Sequence, residues 1–562
     1  MPGGLLNLVA YGNQNIILNG NPSKTFFKCA YAKYTNFGLQ KFRIDFDGQR
    51  TLRMNESSTF SFKVPRYAEL LMDTYLSVQL PTIWSTIIPP VNPPDESDEM
   101  NKWRPYEFKW IKNIGSQMIE TVRFIVGGQV IQEFTGQYLH HLVERDFGIK
   151  KDLYYKMTGN VSELNDPANS NGRDNMYPSV YPTSSSVYST VGPEPSIRGR
   201  KLYIPMNVWF GLASKMAFPL ISLQYAEFYI EVVIRPVKEL FVIRDVGGHG
   251  GYYHQPNMND SYDQFYRFLQ PPPDTTLAET SYTDKRTNWA ADIHLISTYA
   301  FLTEDEAKLF ASTEQKYLVR ESYTLKYHNV TGNKKVKLTS LGMVANWTWF
   351  FQRNDAYLRN EWSNTTNWPY DYLPSNLMMP QSGNTVPHPY PTTDNPDAAL
   401  SPNINLDSTY TNIMITGDYS VENQKEIMLS WGLLLDGKYR ENLMDAGVFK
   451  YIEPYGRSNG SPTMDGVYFY NFCINTNPYE VQPSGAINIS KFNQIEFEFT
   501  TYSPPLDPSV EFLTVCDGNG NAIGIDKTNW RLYDYNYDLT VLEERYNILT
   551  FTSGNAGLMF AR

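Results

Sequence analysis

One pattern occurs twice in this chain, and it limits the folds open to it. Residues Trp209 to Arg235 read as a corner followed by a strand. Phe228, Ile230, Val232 and Ile234 take one face, and Tyr229, Glu231, Val233 and Arg235 the other. Period-two alternation of β-branched and aromatic residues marks a half-buried strand. Pro219-Leu220-Ile221-Ser222-Leu223-Gln224 carries the chain into it. Near the other end, Gln482-Pro483-Ser484-Gly485-Ala486-Ile487 leads in the same way into Ile495-Glu496-Phe497-Glu498-Phe499.

A second landmark precedes each copy. Thr121 to Val126, Gly127-Gly128 and Gln129 to Gln132 form a predicted hairpin. Glu426 to Leu435, Asp436-Gly437 and the segment from Lys438 repeat it. Glycine supplies the positive φ angles that a tight primed turn needs. From Gly128 to Glu227 is 40 residues further than from Gly437 to Glu496. A polar insertion at residues 158–199 of the first copy accounts for the difference. Chance likeness between two unrelated β units is the competing reading of this pattern alone.

Composition agrees with an all-β chain. There are 562 residues, too many for one ordinary core, so at least two domains are expected. Aromatics make up 15%, with 41 Tyr and 30 Phe, while charged residues are 19%. Gly and Pro, 36 each, supply many turns. No run of 18 apolar residues exists, so no membrane-spanning helix is expected. Met1-Pro2-Gly3-Gly4 lacks the basic region of a secretory signal. Cys29, Cys473 and Cys516 are odd in number and far apart, which predicts buried thiols rather than a disulfide framework or zinc site. A net charge of −11 argues against a broad phosphate-binding surface, so no direct nucleic-acid contact is expected.

The predicted organisation has four parts. Residues 1–24 form an N-terminal arm whose Leu5, Leu6, Leu8, Val9 and Tyr11 dock on this or a neighbouring subunit, because apolar groups in water are costly. Residues 25–244 form a first β unit that closes at Phe241-Val242-Ile243. Residues 245–289, with Gly247-Gly248-His249-Gly250-Gly251 and Pro271-Pro272-Pro273, read as a linker or excursion. Residues 290–562 form the second unit, opened by a strand from Asp292 to Leu302 and a capped short helix at Thr303-Glu304-Asp305-Glu306. Residues 158–199 and 354–405 are long polar loops between strands, placed at equivalent positions of the two units and facing outward. Eight short strands with long inter-strand loops describe a jelly roll, so the fold prediction is two tandem eight-stranded jelly-roll barrels with short helices.

The chain offers little chemistry. No nucleophile elbow, phosphate loop or HExxH helix is present. His140 and His141 are adjacent on a predicted helix, about 100° apart, and cannot form the i, i+4 pair a metal site wants. Asp517-Gly518-Asn519-Gly520-Asn521-Ala522 resembles half a calcium loop, but Ala522 and Thr528 stand where glycine and a bidentate carboxylate are needed, so it reads as a polar turn. Catalytic, cofactor and metal residues are all expected to be absent. Asn55, Asn160, Asn329, Asn346 and Asn364 head glycosylation tripeptides; Asn160 and Asn364, in polar loops, are the candidate acceptors, and Asn346 lies in a predicted strand. A jelly-roll carbohydrate-binding or glycan-processing protein is the alternative that the aromatic content allows. It would need two carboxylates converging in an aromatic cleft.

Further motifs carry a resemblance. Gly3-Gly4-Leu5-Leu6, Leu8-Val9-Ala10-Tyr11-Gly12, Leu18-Asn19-Gly20-Asn21-Pro22, Thr25-Phe26-Phe27-Lys28 and Tyr34-Thr35-Asn36-Phe37 resemble the opening of major capsid proteins of nucleocytoplasmic large DNA viruses. Phe218 to Tyr225, Gly466 to Phe472, Gln482 to Ser490 and the Tyr546-Asn547-Ile548-Leu549 region extend it along nearly the whole chain. The resemblance implies a double jelly-roll subunit, a homotrimeric pseudo-hexameric capsomer and an icosahedral shell. It also implies minor capsid and penton partners, a nearby internal viral membrane, and a place in the virion after assembly in the host cytoplasm. The loops at 158–199 and 354–405 depart from the family in length and content.

Overall fold

The computed structural model describes residues 35–46, 48, 51–85, 87–88, 104–105, 107–173, 177–178, 195–244, 253–272, 279–368, 425–503, 513–516, 522–526 and 535–560. The arm at 1–24, Cys29 and the calcium-like turn lie outside them, Ala522 excepted.

Sixteen principal strands fall into two sets of eight. The first set is β1 (Gly38–Asp45), β2 (Ser58–Lys63), β3 (Leu70–Gln79), β4 (Ile119–Val126), β5 (Gln129–Phe134), β6 (Lys201–Pro205), β7 (Phe228–Ile234) and β8 (His294–Phe301). The second is β9 (Gln315–Tyr327), β10 (Asn333–Lys337), β11 (Met343–Arg353), β12 (Met428–Leu435), β13 (Lys438–Asp445), β14 (Val467–Asn471), β15 (Ile495–Thr501) and β16 (Tyr537–Thr552). In the first set the sheets run β1-β8-β3-β6 and β2-β7-β4-β5; in the second, β9-β16-β11-β14 and β10-β15-β12-β13. Each strand of one set has its counterpart eight places on. Even the short pairings repeat: Phe218–Pro219 joins β3 and Ile487–Asn488 joins β11. Both hairpin turns have two successive positive φ values, 56° and 83° at Gly127 and Gly128, 49° and 76° at Asp436 and Gly437, as a primed turn requires. The fold is a double jelly roll.

Strand pairing moves the predicted boundary. The strand assigned to the start of the second unit is β8, which lies between β1 and β3 of the first barrel; Ile44 faces Leu295, and Leu295 faces Leu76. The counterpart is β16, between β9 and β11. A jelly roll closes by placing its last strand beside its first, so the first barrel ends at Phe301. The second follows the short helix Glu304–Ser312, whose first turn carries Glu304, Asp305 and Glu306 against the positive end of its dipole. The Thr303 side chain makes no cap bond there.

The predicted linker at 245–289 also belongs to the first barrel where described. Tyr253–His254 pairs with Phe241–Arg244, which pairs with Glu107–Trp110. Phe265 and Phe268 are buried against Phe108, and Phe265 also against Phe241. Burying aromatic surface outweighs the flexibility that the flanking Gly and Pro residues suggest. Likewise, residues 158–199 are not one featureless loop: Ser162–Asn165 is helical, and Leu164, Ala168 and Tyr177 are buried.

The second barrel has a core of its own around stacked Trp349 and Trp431, 4.6 Å between ring centroids, with Phe449, Tyr468 and Phe497. The first core is larger, because it extends onto the outside of the second barrel: Tyr317, Phe350, Val467 and Leu542 belong to it. Sheet β9-β16-β11-β14 is therefore buried on both faces, and residues 344–351 of β11 are buried without alternation.

Candidate assembly interface

The feature that decides what this molecule can build is the joint between its barrels. It begins at β5. Past Phe134 the chain turns into the helix Gly136–Asp146, capped by Thr135, whose side chain accepts from the Tyr138 amide at 3.2 Å. Gly136 sits against the turn at 114–117: a Cβ there would stand 1.8 Å from the Ser116 carbonyl oxygen, so only glycine permits the approach. Leu139 and Val143 enter the first core. The opposite side of the helix lies on the outer face of the second barrel's sheet.

That contact carries buried charge. Arg145 donates to Asp146 at 2.7 Å, to Asn346 at 2.7 Å and to Glu544 at 2.9 Å. Glu544 also accepts from Tyr138 at 3.0 Å and Asn346 at 2.7 Å, and Arg320 lies 3.6 Å away. Asp146 accepts from the Thr476 hydroxyl. Burial alone would push the Glu544 carboxyl up; the Arg145 and Arg320 charges outweigh it and hold the carboxyl at about 2. Burial pushes Asp146 up. Alongside, His141 stacks on Phe350 with centroids 4.6 Å apart and planes 4° apart, and its Nδ1 contacts the Gln137 carbonyl. His140 contacts the Met464 sulfur at 3.0 Å. Burial pushes both imidazoles down to about 3, so they are neutral packing groups.

Contacts at both ends of the barrels set them side by side and pointing the same way. At one end, Asn113 donates to Ser363, Asn360 to the carbonyls of Lys238 and Phe241, and Trp362 to that of Glu239. At the other, Tyr225 N–H donates to the Gly554 carbonyl at 3.1 Å. Antiparallel register then tells where each long connection leaves. Gln79, the last residue of β3, faces Lys201, the first of β6; Phe350, near the end of β11, faces Val467, the first of β14. The loop at 158–199 precedes β6 and the loop at 354–405 follows β11. The two occupy different connections, not the equivalent ones expected, yet both open at the same end of the slab.

The predicted site residues divide. Asn160 is half-exposed and its Oδ1 accepts from Asn165 at 3.0 Å. Asn364 is corrected: it is 4% exposed, accepts from the Thr366 amide and donates to the Trp368 carbonyl. Its amide is consumed in a buried Asx turn and offers no acceptor for a sugar. Asn346 is buried in β11 as expected, within the charge network. Leu5, Leu6, Leu8, Val9 and Tyr11 lie outside the described residues. Cys473 is buried, and burial raises its thiol pKa. Among the described residues no group of three His, Cys, Asp or Glu could hold a metal, and no helix is long and apolar enough to cross a membrane. Sequence reasoning missed Arg145, Arg320 and Glu544; a charged pair inside the apolar-periodic helix pattern at 138–146 is the signal that could have found the first.

Comparison with known proteins places this architecture. A family described as "Major capsid protein N-terminus" matches residues 25–267, and one described as "Large eukaryotic DNA virus major capsid protein" matches 306–557. The major capsid proteins of Phaeocystis pouchetii virus and Chrysochromulina ericina virus are each 24% identical, over all of this chain and all of theirs. Among solved structures, PBCV-1 VP54 superimposes with a TM-score of 0.56 at 17% identity, covering 96% of this chain and all of that one. The Faustovirus major capsid protein gives 0.55 at 13% identity, over 93% and 92%.

Proposed function

This chain belongs to the major capsid proteins of large eukaryotic DNA viruses, and from that premise we propose that three copies associate as a homotrimeric capsomer of near-sixfold outline. It is a structural component of the virion capsid, not an enzyme. The relatives named above are capsid proteins, which favours this reading over a carbohydrate-binding or glycan-processing jelly roll.

The observation that carries the proposal is the parallel setting of two like barrels around a rigid joint. Each subunit offers two similar flanks, and three subunits put six barrels around one axis with true threefold symmetry. The sets differ in loop length, so the sixfold is approximate. The end bearing the loops at 158–199 and 354–405 faces outward, and capsomers tile an icosahedral shell with minor capsid and penton proteins between them. A net charge of −11 suits a layer that touches no nucleic acid and lies outside an internal membrane. Assembly takes place in the host cytoplasm. An association of this kind buries more than ~2,000 Å², the range of permanent interfaces.

Light scattering or native mass spectrometry of the purified protein tests the trimer. The expected result is a particle of three chain masses at micromolar concentration; a persistent monomer would overturn it.

A further inference from the structure

A cavity of about 50 Å³ lies in the joint between the barrels. The first barrel lends it Gln132 of β5 and Asn207, two residues past β6; the second lends it Arg320 of β9 and Tyr546 of β16. Arg320 and Tyr546 are cross-strand partners and so enter side by side. Trp209, Met216 and Leu318 supply apolar wall.

Three polar atoms on this wall are shielded from solvent: Gln132 Oε1, Asn207 Nδ2 and Tyr546 Oη. None has a hydrogen-bond partner among the described residues. Gln132 is only 3% exposed, and its orientation is set. Its Nε2 donates to the Arg320 carbonyl at 3.5 Å, which leaves Oε1 for the cavity; the reverse orientation would bring two acceptors together. Arg320 is itself engaged: it donates to the Thr476 carbonyl at 3.0 Å and lies 3.6 Å from Glu544. Burial raises the Tyr546 pKa, so its hydroxyl keeps its proton. A buried polar atom without a partner is costly. Three of them, brought to one cavity by β5, β16 and the turn after β6, point to a group that bonds them.

Their chemistry says which group. Gln132 Oε1 needs a donor, Asn207 Nδ2 needs an acceptor, and Tyr546 serves as either. A carboxylate or phosphate ion has no proton to donate at neutral pH, and Glu480 on the wall disfavours it. An ammonium cannot accept, and the Arg320 guanidinium disfavours it. A hydroxyl group both donates and accepts. Size narrows the choice further: one water takes ~10–15 Å³ of such space, so about three to five hydroxyl-sized groups fit.

We propose that this cavity is a binding site for hydroxyl groups, which bridge Gln132 and Asn207 of the first barrel to Tyr546 of the second. Two sources supply that chemistry: a short chain of ordered water, or one small aliphatic diol or triol. Either completes the polar side of the joint next to the Arg145–Glu544 contact, and the apolar wall suits the carbons of a diol. The site lies within one chain and does not depend on the trimer.

The test is a structure of the full chain at a resolution that shows ordered water, from protein purified without alcohols or polyols. The expected result is density ~2.7–3.2 Å from Gln132 Oε1, Asn207 Nδ2 and Tyr546 Oη. Separate peaks identify water. Continuous density, with a small alcohol released in equimolar amount on denaturation and identified by mass spectrometry, identifies a diol or triol. Gln132→Met and Tyr546→Phe keep the bulk of each side chain and remove its polar atom. Each is expected to lose the density bonded to that atom and to keep the density on Asn207. No density at the three atoms, a side chain of the protein bonded to them instead, or the shape of a bound anion overturns the proposal. So does density that is unchanged in both variants.

Discussion

Neutralising one carboxylate at the barrel joint tests how the two jelly rolls are held. Glu544→Gln keeps shape and one hydrogen-bonding oxygen but removes the charge facing Arg145 and Arg320. The site is buried, so solvent does not screen the loss. Two routes give its size. Folding carries the carboxyl from 4.5 to about 2, and at about 1.4 kcal/mol per pKa unit this stabilises the fold by about 3 kcal/mol at neutral pH. Removing one partner of a buried ion pair costs ~3–5 kcal/mol; Arg145 keeps Asp146, which favours the lower end. For a cooperative unit the size of one barrel, a loss of about 3 kcal/mol lowers the melting midpoint by roughly 6–12 °C. Calorimetry on wild type and variant across pH is the assay. Because folding depresses this pKa, the stabilisation is complete above about pH 4.5 and disappears as pH falls toward 2, so the gap between the proteins narrows over that window. Asp146 shares Arg145 with this carboxylate, whose charge helps to raise the Asp146 pKa, so the substitution relieves Asp146 and offsets part of the loss. A gap under about 1 kcal/mol at pH 7, or one that stays constant from pH 4.5 to 2, would refute the reasoning.

Two further predictions concern the ends of the molecule. Deleting residues 1–24 is expected to leave the trimer intact and to impair shell assembly if, as their apolar character suggests, Leu5, Leu6, Leu8, Val9 and Tyr11 dock at the capsomer base or on a neighbour; electron microscopy of assembly products beside sedimentation of the trimer checks this, and full assembly would count against it. Of the two candidate acceptors, only half-exposed Asn160 is expected to carry sugar on virion-derived protein. Peptide mass spectrometry should find a glycan mass at Asn160 and none at buried Asn364, and a modified Asn364 would contradict the burial argument.

What the sequence made legible was local. Alternation in Phe228–Ile234 and Ile495–Thr501 and the turns at Gly127-Gly128 and Asp436-Gly437 are periods of two and four residues, and the structure places them in matching strands. Non-local pairing was not legible. Nothing near His294–Phe301 says that it will lie beside Gly38–Asp45, some 250 residues earlier, so it was read as the start of the next unit. The run at 344–351 gave no sign of its second cover: Asn346 and Thr348 alternate with Trp347 and Trp349, the pattern of a strand with one wet face, yet all eight residues are buried because the other barrel covers the second face. Phe265, Tyr266 and Phe268, between glycine- and proline-rich stretches, did carry a signal for the excursion, an apolar cluster that is costly to leave in water. Asn364-Thr365-Thr366-Asn367 carried the opposite one, a polar string that folds into buried turns by bonding to itself and its neighbours. The charges of the joint come from positions 145, 320 and 544, and only the closed fold brings them together.

The joint between the barrels shows why a chain can tolerate buried charge inside itself. Inside the chain the partners are tethered, so they meet at high effective concentration and tolerate the desolvation of Arg145, Asp146 and Glu544. Those charges then demand one arrangement, because Arg145 reaches Asp146, Asn346 and Glu544 only when the helix lies at one angle across the sheet.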